Sequence, residues 1–385
     1  MSQSNIQHRY VLDLARALAA LVVCLDHSRH LVLADLEASS GLAEKAVYFA
    51  TNAIFGHQAV IVFFLLSGYL VGGSAIRTID RGTWRWRNYL LDRFTRLWIV
   101  LIPALFLTAA FDGSGLTFGG PVVHLPGAFY YEHHTAALLR PSVFVCNAAF
   151  LQTLVCDTYG TNLPLWSLAS EFWFYLWFPA LYAAWKAPKS ARATRYVVAL
   201  AAIVTMGLFS SLLKGFLLWM VGCAIAWIEP RLNVRTRDRR RVVYTPIAFL
   251  IVTLANVRAF LLDDWATGSA FACLLLCIVF ERACLPFDWM SRAAALFSAF
   301  SYSLYLTHYP FVILICSLLF KQRLAWNHEG VLLWIATVAA CYLLAWIHYL
   351  VFESHTTRVR EVLKEFYARI TGGNRLAELR VGVEE

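Results

Sequence analysis

The stretch VLDLARALAALVVCLDHSRHLVL, residues 11–33, decides how the rest of the chain is read. It is apolar over more than the ~20 residues that a helix needs to cross a bilayer core. Yet it holds Arg16 near its start and His27 near its end. Eleven residues of helix are three turns and about 20°, so the two side chains share a face, roughly 16 Å apart along the axis. An arginine in hydrocarbon costs about 2.5–3.5 kcal/mol on insertion scales, and so normally faces protein or a wet cavity. A plainer reading has Arg16 snorkelling to the interface beside Asp13, with His27 a satisfied core histidine. The shared face argues for a site.

Composition sets the class. Of 385 residues, 60% are apolar and 15% charged, with a mean hydropathy of +0.60; a soluble globular chain would be nearer ~45–50% and ~25%. The expectation is an all-α, polytopic membrane protein of about ten transmembrane helices. The first stretch is read as a retained span, too long for a signal-peptide core and without a small-residue cleavage site after it. Candidate spans lie near 11–33, 53–75, 94–112, 164–185, 196–211, 213–229, 242–261, 266–283, 294–319 and 330–352. An apolar piece at 143–155 is too short to cross and reads as an interfacial or re-entrant helix. No internal repeat is visible.

The loops set the orientation. Arg77, Arg81, Arg85, Arg87, Arg93 and Arg96 follow the second span; Lys186, Lys189, Arg192 and Arg195 the fourth; Arg231, Arg235, Arg237 and Arg239-Arg240-Arg241 the sixth. The alternate loops carry little beyond Lys45, Arg140, Lys214, Lys321 and Arg323. The positive-inside rule then places the N- and C-termini in the cytoplasm. The net charge of +9 follows from this asymmetry and from anionic headgroups, and does not point to nucleic acid. Residues 9–352 form one transmembrane unit, and 353–385 a short, basic, amphipathic cytoplasmic tail too small for a second domain. Cys146 and Cys156, in the outer loop 113–163, would form a disulfide if the outside is oxidising, or stay as two buried thiols. No cysteine or histidine spacing suggests a metal.

Three further stretches place polar groups where lipid-facing helices would not. FFLLSGY at 63–69 offers Ser67 and Gly68, either for close helix packing or for space beside a ligand. WSLASEFWFY at 166–175 aligns Ser167, Glu171 and Tyr175 on one face behind Trp166, with a structural ion pair as the plain alternative for Glu171. Its depth from the outer boundary, roughly 10 Å, matches that of His27, so the two would share a cavity. SYSLYLTHYP at 301–310 aligns Ser301, Tyr305 and His308; Pro310 bends this helix and frees a backbone carbonyl nearby. The same stripe would also serve as an interhelical hydrogen-bond seam. Arg93 and Arg96 open the third span, as anchors or as guanidinium forks for phosphate.

Together these stretches resemble the membrane acyltransferase 3 family: Asp13 to Ala17 with Asp26-His27, FFLLSGY, Arg93-Phe94-Thr95-Arg96, WSLASEFWFY and SYSLYLTHYP stand in that family's order over most of residues 9–352. Leu14-Ala15 replaces the more usual Gly-Leu or Ser-Leu before the arginine, a change of packing only. The resemblance implies a multi-pass protein of the inner or plasma membrane. It would move an acyl group, commonly acetyl from acetyl-coenzyme A, onto a sugar hydroxyl of a surface polysaccharide, glycolipid or related metabolite, without a metal. His27 would be the base, since imidazole titrates near pH 6.5, with an acyl-histidine as the variant. Glu171 would orient the imidazole, and Arg16 would hold the donor's carbonyl or pantetheine arm. Arg93 and Arg96 would bind its phosphates beside Ser67 and Gly68. Trp166, Ser167, Tyr175, Ser301, Tyr305 and His308 would line the substrate cavity. The alternative is a transporter or flippase with Arg16, Glu171 and His308 as a proton relay.

Overall fold

The computed structural model describes residues 3–34, 56–118, 135–186, 192–231, 239–258, 263–281, 287–320 and 323–370. Lys45, Lys189, Arg235, Arg237, Lys321, residues 119–134 of the outer loop and the tail after residue 370, all used above, lie outside them. Every regular element among the described residues is helical, and the only bridges are the isolated pairs Leu33–Leu324 and Gln152–Cys156.

Each apolar run becomes a helix: α1 Gln3–Val32, α2 Gly56–Asp80, α3 Trp86–Phe118, the short α4 Pro141–Ala148, and α5 Leu165–Trp185. There follow α6 Arg192–Leu208, α7 Leu213–Ile228, α8 Arg239–Arg258, α9 Asp264–Phe280, α10 Asp288–Ala299, α11 Ser301–Leu319, α12 His328–Val351 and α13 Thr356–Ile370. Five helical stretches are long and apolar enough to span a membrane: Gly56–Asp80, Trp86–Phe118, Ser210–Ile228, Ser301–Leu319 and His328–Tyr367. The protein is thus a multi-pass membrane protein. Other helices read less apolar for local reasons. The first carries Arg9, Asp13, Arg16, Asp26 and Arg29, α5 carries Glu171 among Trp and Tyr residues, and α6 and α9 are 17 residues each.

The expected span at 294–319 is corrected to two helices. Phe300 (φ −109°, ψ 13°) leaves helical geometry between α10 and α11. The packing explains the break: α10 runs along α1, where Ser298 Oγ donates to Asp13 at 3.1 Å, whereas α11 packs against α3, α1 and α12. Phe300 is buried among Tyr342, Trp346 and Tyr349.

Two apolar clusters form the core. The larger joins α2, α3, α5, α7 and α9; the smaller lies between α1, α11 and α12. Inside α2 the backbone widens to a π-helical turn at Gly68–Gly72, packed on α7. Glycine is required there: a Cβ on Gly68 would run into the Trp219 carbonyl oxygen, and one on Gly222 into that of Leu65. Prolines inside helices leave the carbonyl four residues earlier without its usual N–H, and neighbouring side chains take it. Pro310 frees the Leu306 carbonyl, which accepts from Asn162 Nδ2 at 2.9 Å; Pro179 frees that of Tyr175, which accepts from Tyr89 OH at 3.0 Å.

Between α4 and α5 the chain folds back into the bundle. The Cys146–Cys156 disulfide closes this segment, which resolves the two open readings of these thiols. Asn147 donates to the Val143 and Asp157 carbonyls and accepts from the Tyr159 N–H. Gln152 Nε2 donates to the Leu165 carbonyl, which holds the segment to the first turn of α5.

Candidate active site

Four helices bring the polar stretches together. A cavity of about 460 Å³ lies between α2, α3, α5 and α11, with Arg16 of α1 in its wall. Its mouth, at the end of the bundle where α2 finishes and α3 begins, is set by Ser74, Asp92, Arg93, Thr356 and Arg360. Deeper lie Arg16, Arg96, Glu171, Tyr175, Ser67 and Tyr302. Its inner end meets Phe63, Ser167 and Tyr305. Tyr302 OH donates to the Leu97 carbonyl (3.3 Å), which sets α11 level with α3. At about 1.5 Å per residue, the path from Asp92 to Tyr305 is then roughly 12 Å.

The wall is wired by a directional chain. Glu171 Oε1 accepts from Tyr175 OH at 2.5 Å. Tyr175 oxygen therefore accepts from Ser67 Oγ (3.1 Å), which in turn accepts from Trp219 Nε1 (3.2 Å). Every hydroxyl is used once in each direction, so the carboxylate is fixed against the cavity. Arg16 is 3.6 Å from Asp13 and within electrostatic reach of Arg96, Glu353 and Glu171. The plainer pairing with Asp13 and the cavity position are both present.

His27 stands apart from this cavity. Its Nδ1 lies 2.9 Å from His308 Nε2, with the two rings parallel (1°) and their centroids 5.2 Å apart, so they meet edge to edge. His308 Nδ1 lies 2.8 Å from the Leu304 carbonyl, which can only accept. That nitrogen therefore carries the proton. Neutral His308 then accepts at Nε2, His27 donates from Nδ1, and the lone pair of His27 Nε2 is left free. A backbone carbonyl and a second imidazole thus set the tautomer of His27. Between this pair and the cavity stands Tyr305. Its hydroxyl is 2.7 Å from Ser167 Oγ and donates to the Pro164 carbonyl (3.2 Å). Its ring lies 6.1 Å from Phe63 and 6.2 Å from His308.

The structure therefore brings Arg16, Ser67, Arg93, Arg96, Ser167, Glu171, Tyr175, Ser301 and Tyr305 to one cavity. His27 and His308 sit one helical turn beyond it. Glu171 bonds Tyr175, and the place beside the imidazole that the sequence reading gave to Glu171 is taken by His308. Gly68 packs on α7. Trp166 lines a neighbouring cavity of about 220 Å³ with Ser170 and Ser211, and stacks on His57. Asp92, Thr356, Arg360 and the nearby Glu353 did not stand out in the sequence. Glu353 Oε2 accepts from the Ser303 N–H (3.2 Å) and Oγ (2.7 Å), and its charge reaches Arg16 and Arg96. The legible signal was a lone carboxylate directly after a long apolar run.

A multi-helix membrane protein with an arginine-lined cavity ending one turn short of an imidazole pair, buried His308 and half-buried His27, has the build of a membrane-embedded group-transfer enzyme. The family model described as an acyltransferase domain matches residues 9–349, and the chain belongs to that acyltransferase 3 family. It is similar to "Protein 2 in picA locus" of Rhizobium radiobacter (28% identity; 54% of this chain, 97% of that one). It is also similar to an "O-acetyl transferase" of Shigella phage Sf6 (30%; 43% of each) and to "Nodulation protein 10" of Rhizobium leguminosarum bv. viciae (30%; 51% of this chain, 50% of that one). The chain thus spans about half the length of the latter two. No solved structure matches.

Proposed function

We infer that the protein transfers an acetyl group from acetyl-coenzyme A to a hydroxyl of a sugar in a surface polysaccharide, glycolipid or related metabolite. The observation that carries this reading is the cavity, with cations at its mouth and its inner end one turn from a proton-accepting nitrogen. Arg93 and Arg96 hold the donor's phosphates as bidentate forks. Arg16 and Glu171 contact the amides and carbonyls of the pantetheine arm, and the thioester reaches the Ser167–Tyr305 end. Tyr305 leaves Ser167 to join the two compartments. His27 Nε2 then takes the acceptor hydroxyl's proton as the oxygen attacks the thioester carbonyl. The carbon–sulfur bond breaks, and the same proton passes to the leaving sulfur. His308 keeps the imidazole in the required tautomer and shares the positive charge while it lasts. The acetyl group and an oxygen acceptor are supported by the phage relative, an O-acetyl transferase.

By the loop charges the mouth faces the cytoplasm, where coenzyme A is found, and the His27 side faces the acceptor. A transporter using Arg16, Glu171 and His308 as a relay has less support. Arg16 and Glu171 sit in the cavity, whereas His308 lies behind Tyr305 with His27 and Leu304 as partners. The test uses membranes with labelled acetyl-coenzyme A, comparing wild type with His27→Ala at matched expression. Label transfer to glycans in the wild type alone is expected. Equal transfer in both would remove His27 from the chemistry.

A further inference from the structure

Helix α13 begins after the last residue matched to the family, and it forms part of the cavity mouth. It is tied to α3 by one carboxylate: Asp92 Oδ1 lies 3.1 Å from Lys364 Nζ and 3.7 Å from Arg360 Nη1. A second tie is the Arg87 guanidinium, 3.6 Å above the Tyr367 ring. Thr356 and Arg360 line the same cavity as Arg93 and Arg96. The Nε atoms of Arg93 and of Arg360 are both buried without a hydrogen-bond partner. Arg93 and Arg96 of α3 and Arg360 of α13 thus line one cavity, with Asp92 paired to Arg360 and Lys364. Guanidinium N–H groups left without acceptors in a half-buried site favour an anion with several oxygens.

We propose that α13 is the second jaw of a phosphate clamp. In it Arg360, backed by Lys364, takes a phosphate of the nucleotide-bearing donor from the side opposite Arg93 and Arg96. Asp92 is the internal anion that holds this jaw until the phosphate displaces it from Arg360. The proposal rests on the coenzyme A reading of the cavity. It adds two ligands from beyond the family match, Arg360 and Lys364, and a competitor from within it, Asp92.

The test is equilibrium binding of coenzyme A to the full-length protein in nanodiscs, first of zwitterionic lipid and then with phosphatidylglycerol added. Arg360→Ala is expected to weaken binding roughly 10-fold or more, the size of a lost charge-assisted contact, and to flatten its salt dependence. Asp92→Asn is expected to leave binding as tight as wild type or tighter, because the competitor is gone. Binding by Arg360→Ala equal to wild type would overturn the clamp. So would an Asp92→Asn loss equal to that of Arg360→Ala, since both would then act only by anchoring the helix. An effect of Arg360→Ala confined to anionic nanodiscs would reassign the site to lipid headgroups. No coenzyme A binding by the wild type in either lipid would remove the donor reading itself, and the clamp with it.

Discussion

In the proposed reaction, His27 owes its role as base to what holds its other nitrogen. With Nδ1 committed to His308 and His308 committed to the Leu304 carbonyl, the remaining lone pair of His27 is fixed at Nε2. His27→Ala is expected to lower turnover by about 10²–10⁴, the range of a lost general base. His308→Ala is expected to lower kcat by roughly 10²-fold while leaving the KM for acetyl-coenzyme A unchanged, because no cavity contact is lost. Steady-state label transfer at varied donor concentration separates the two parameters; a His308→Ala defect confined to KM would contradict its role in positioning His27. The spacing of Arg16 and His27 on one helix face was legible from the sequence, and so was the polar stripe of Ser301, Tyr305 and His308. Which partner His27 would choose was not. Glu171 and His308 lie at suitable depths on different helices, and helix rotation decides between them. Here α5 turns Glu171 toward Tyr175 and the arginines, while α11 presents His308.

At the level of elements, the small residues of α2 and α7 set how closely these helices approach. Gly68→Ala is expected to destabilise the protein by about 1–3 kcal/mol, as overpacking does, because its Cβ meets the Trp219 backbone. Gly207→Ala, in α6 with open space around it, is expected to be neutral or slightly stabilising. Thermal unfolding in detergent checks the pair, and equal Tm values would show that the α2–α7 contact is not tight. Apolar runs and their prolines announced most helices to within a few residues, including the freed carbonyl before Pro310. The break at Phe300 was hidden, because an aromatic residue inside an apolar run carries no stop signal. Its cause is tertiary: α10 follows α1 while α11 follows α3 and α12. The fold-back between α4 and α5 was legible only in part: the short apolar piece at 143–155 and its two cysteines pointed to it, whereas the hold of Asn147 and Gln152 on it did not show.

For the whole molecule, the distribution of arginines predicts which face each end occupies. A cysteine at exposed Ser354, near the cavity mouth, is expected to react with an impermeant thiol reagent only after the membrane is opened. One at exposed Thr153, in the fold-back segment, is expected to react in intact cells. The reverse pattern would invert the donor and acceptor sides. Whichever way the protein faces, a polar cavity reaching Tyr305 would, once hydrated, thin the insulating part of the bilayer at this point. The transmembrane voltage, worth about 2.3 kcal/mol per elementary charge per 100 mV, then falls across the short layer holding Tyr305, Ser167 and the His27–His308 pair. A proton resting on His27 during transfer would move within that concentrated field. In the proposed reaction, the Tyr305–Ser167 contact would then separate this field from the donor side, and turnover is expected to vary with the energisation of the membrane.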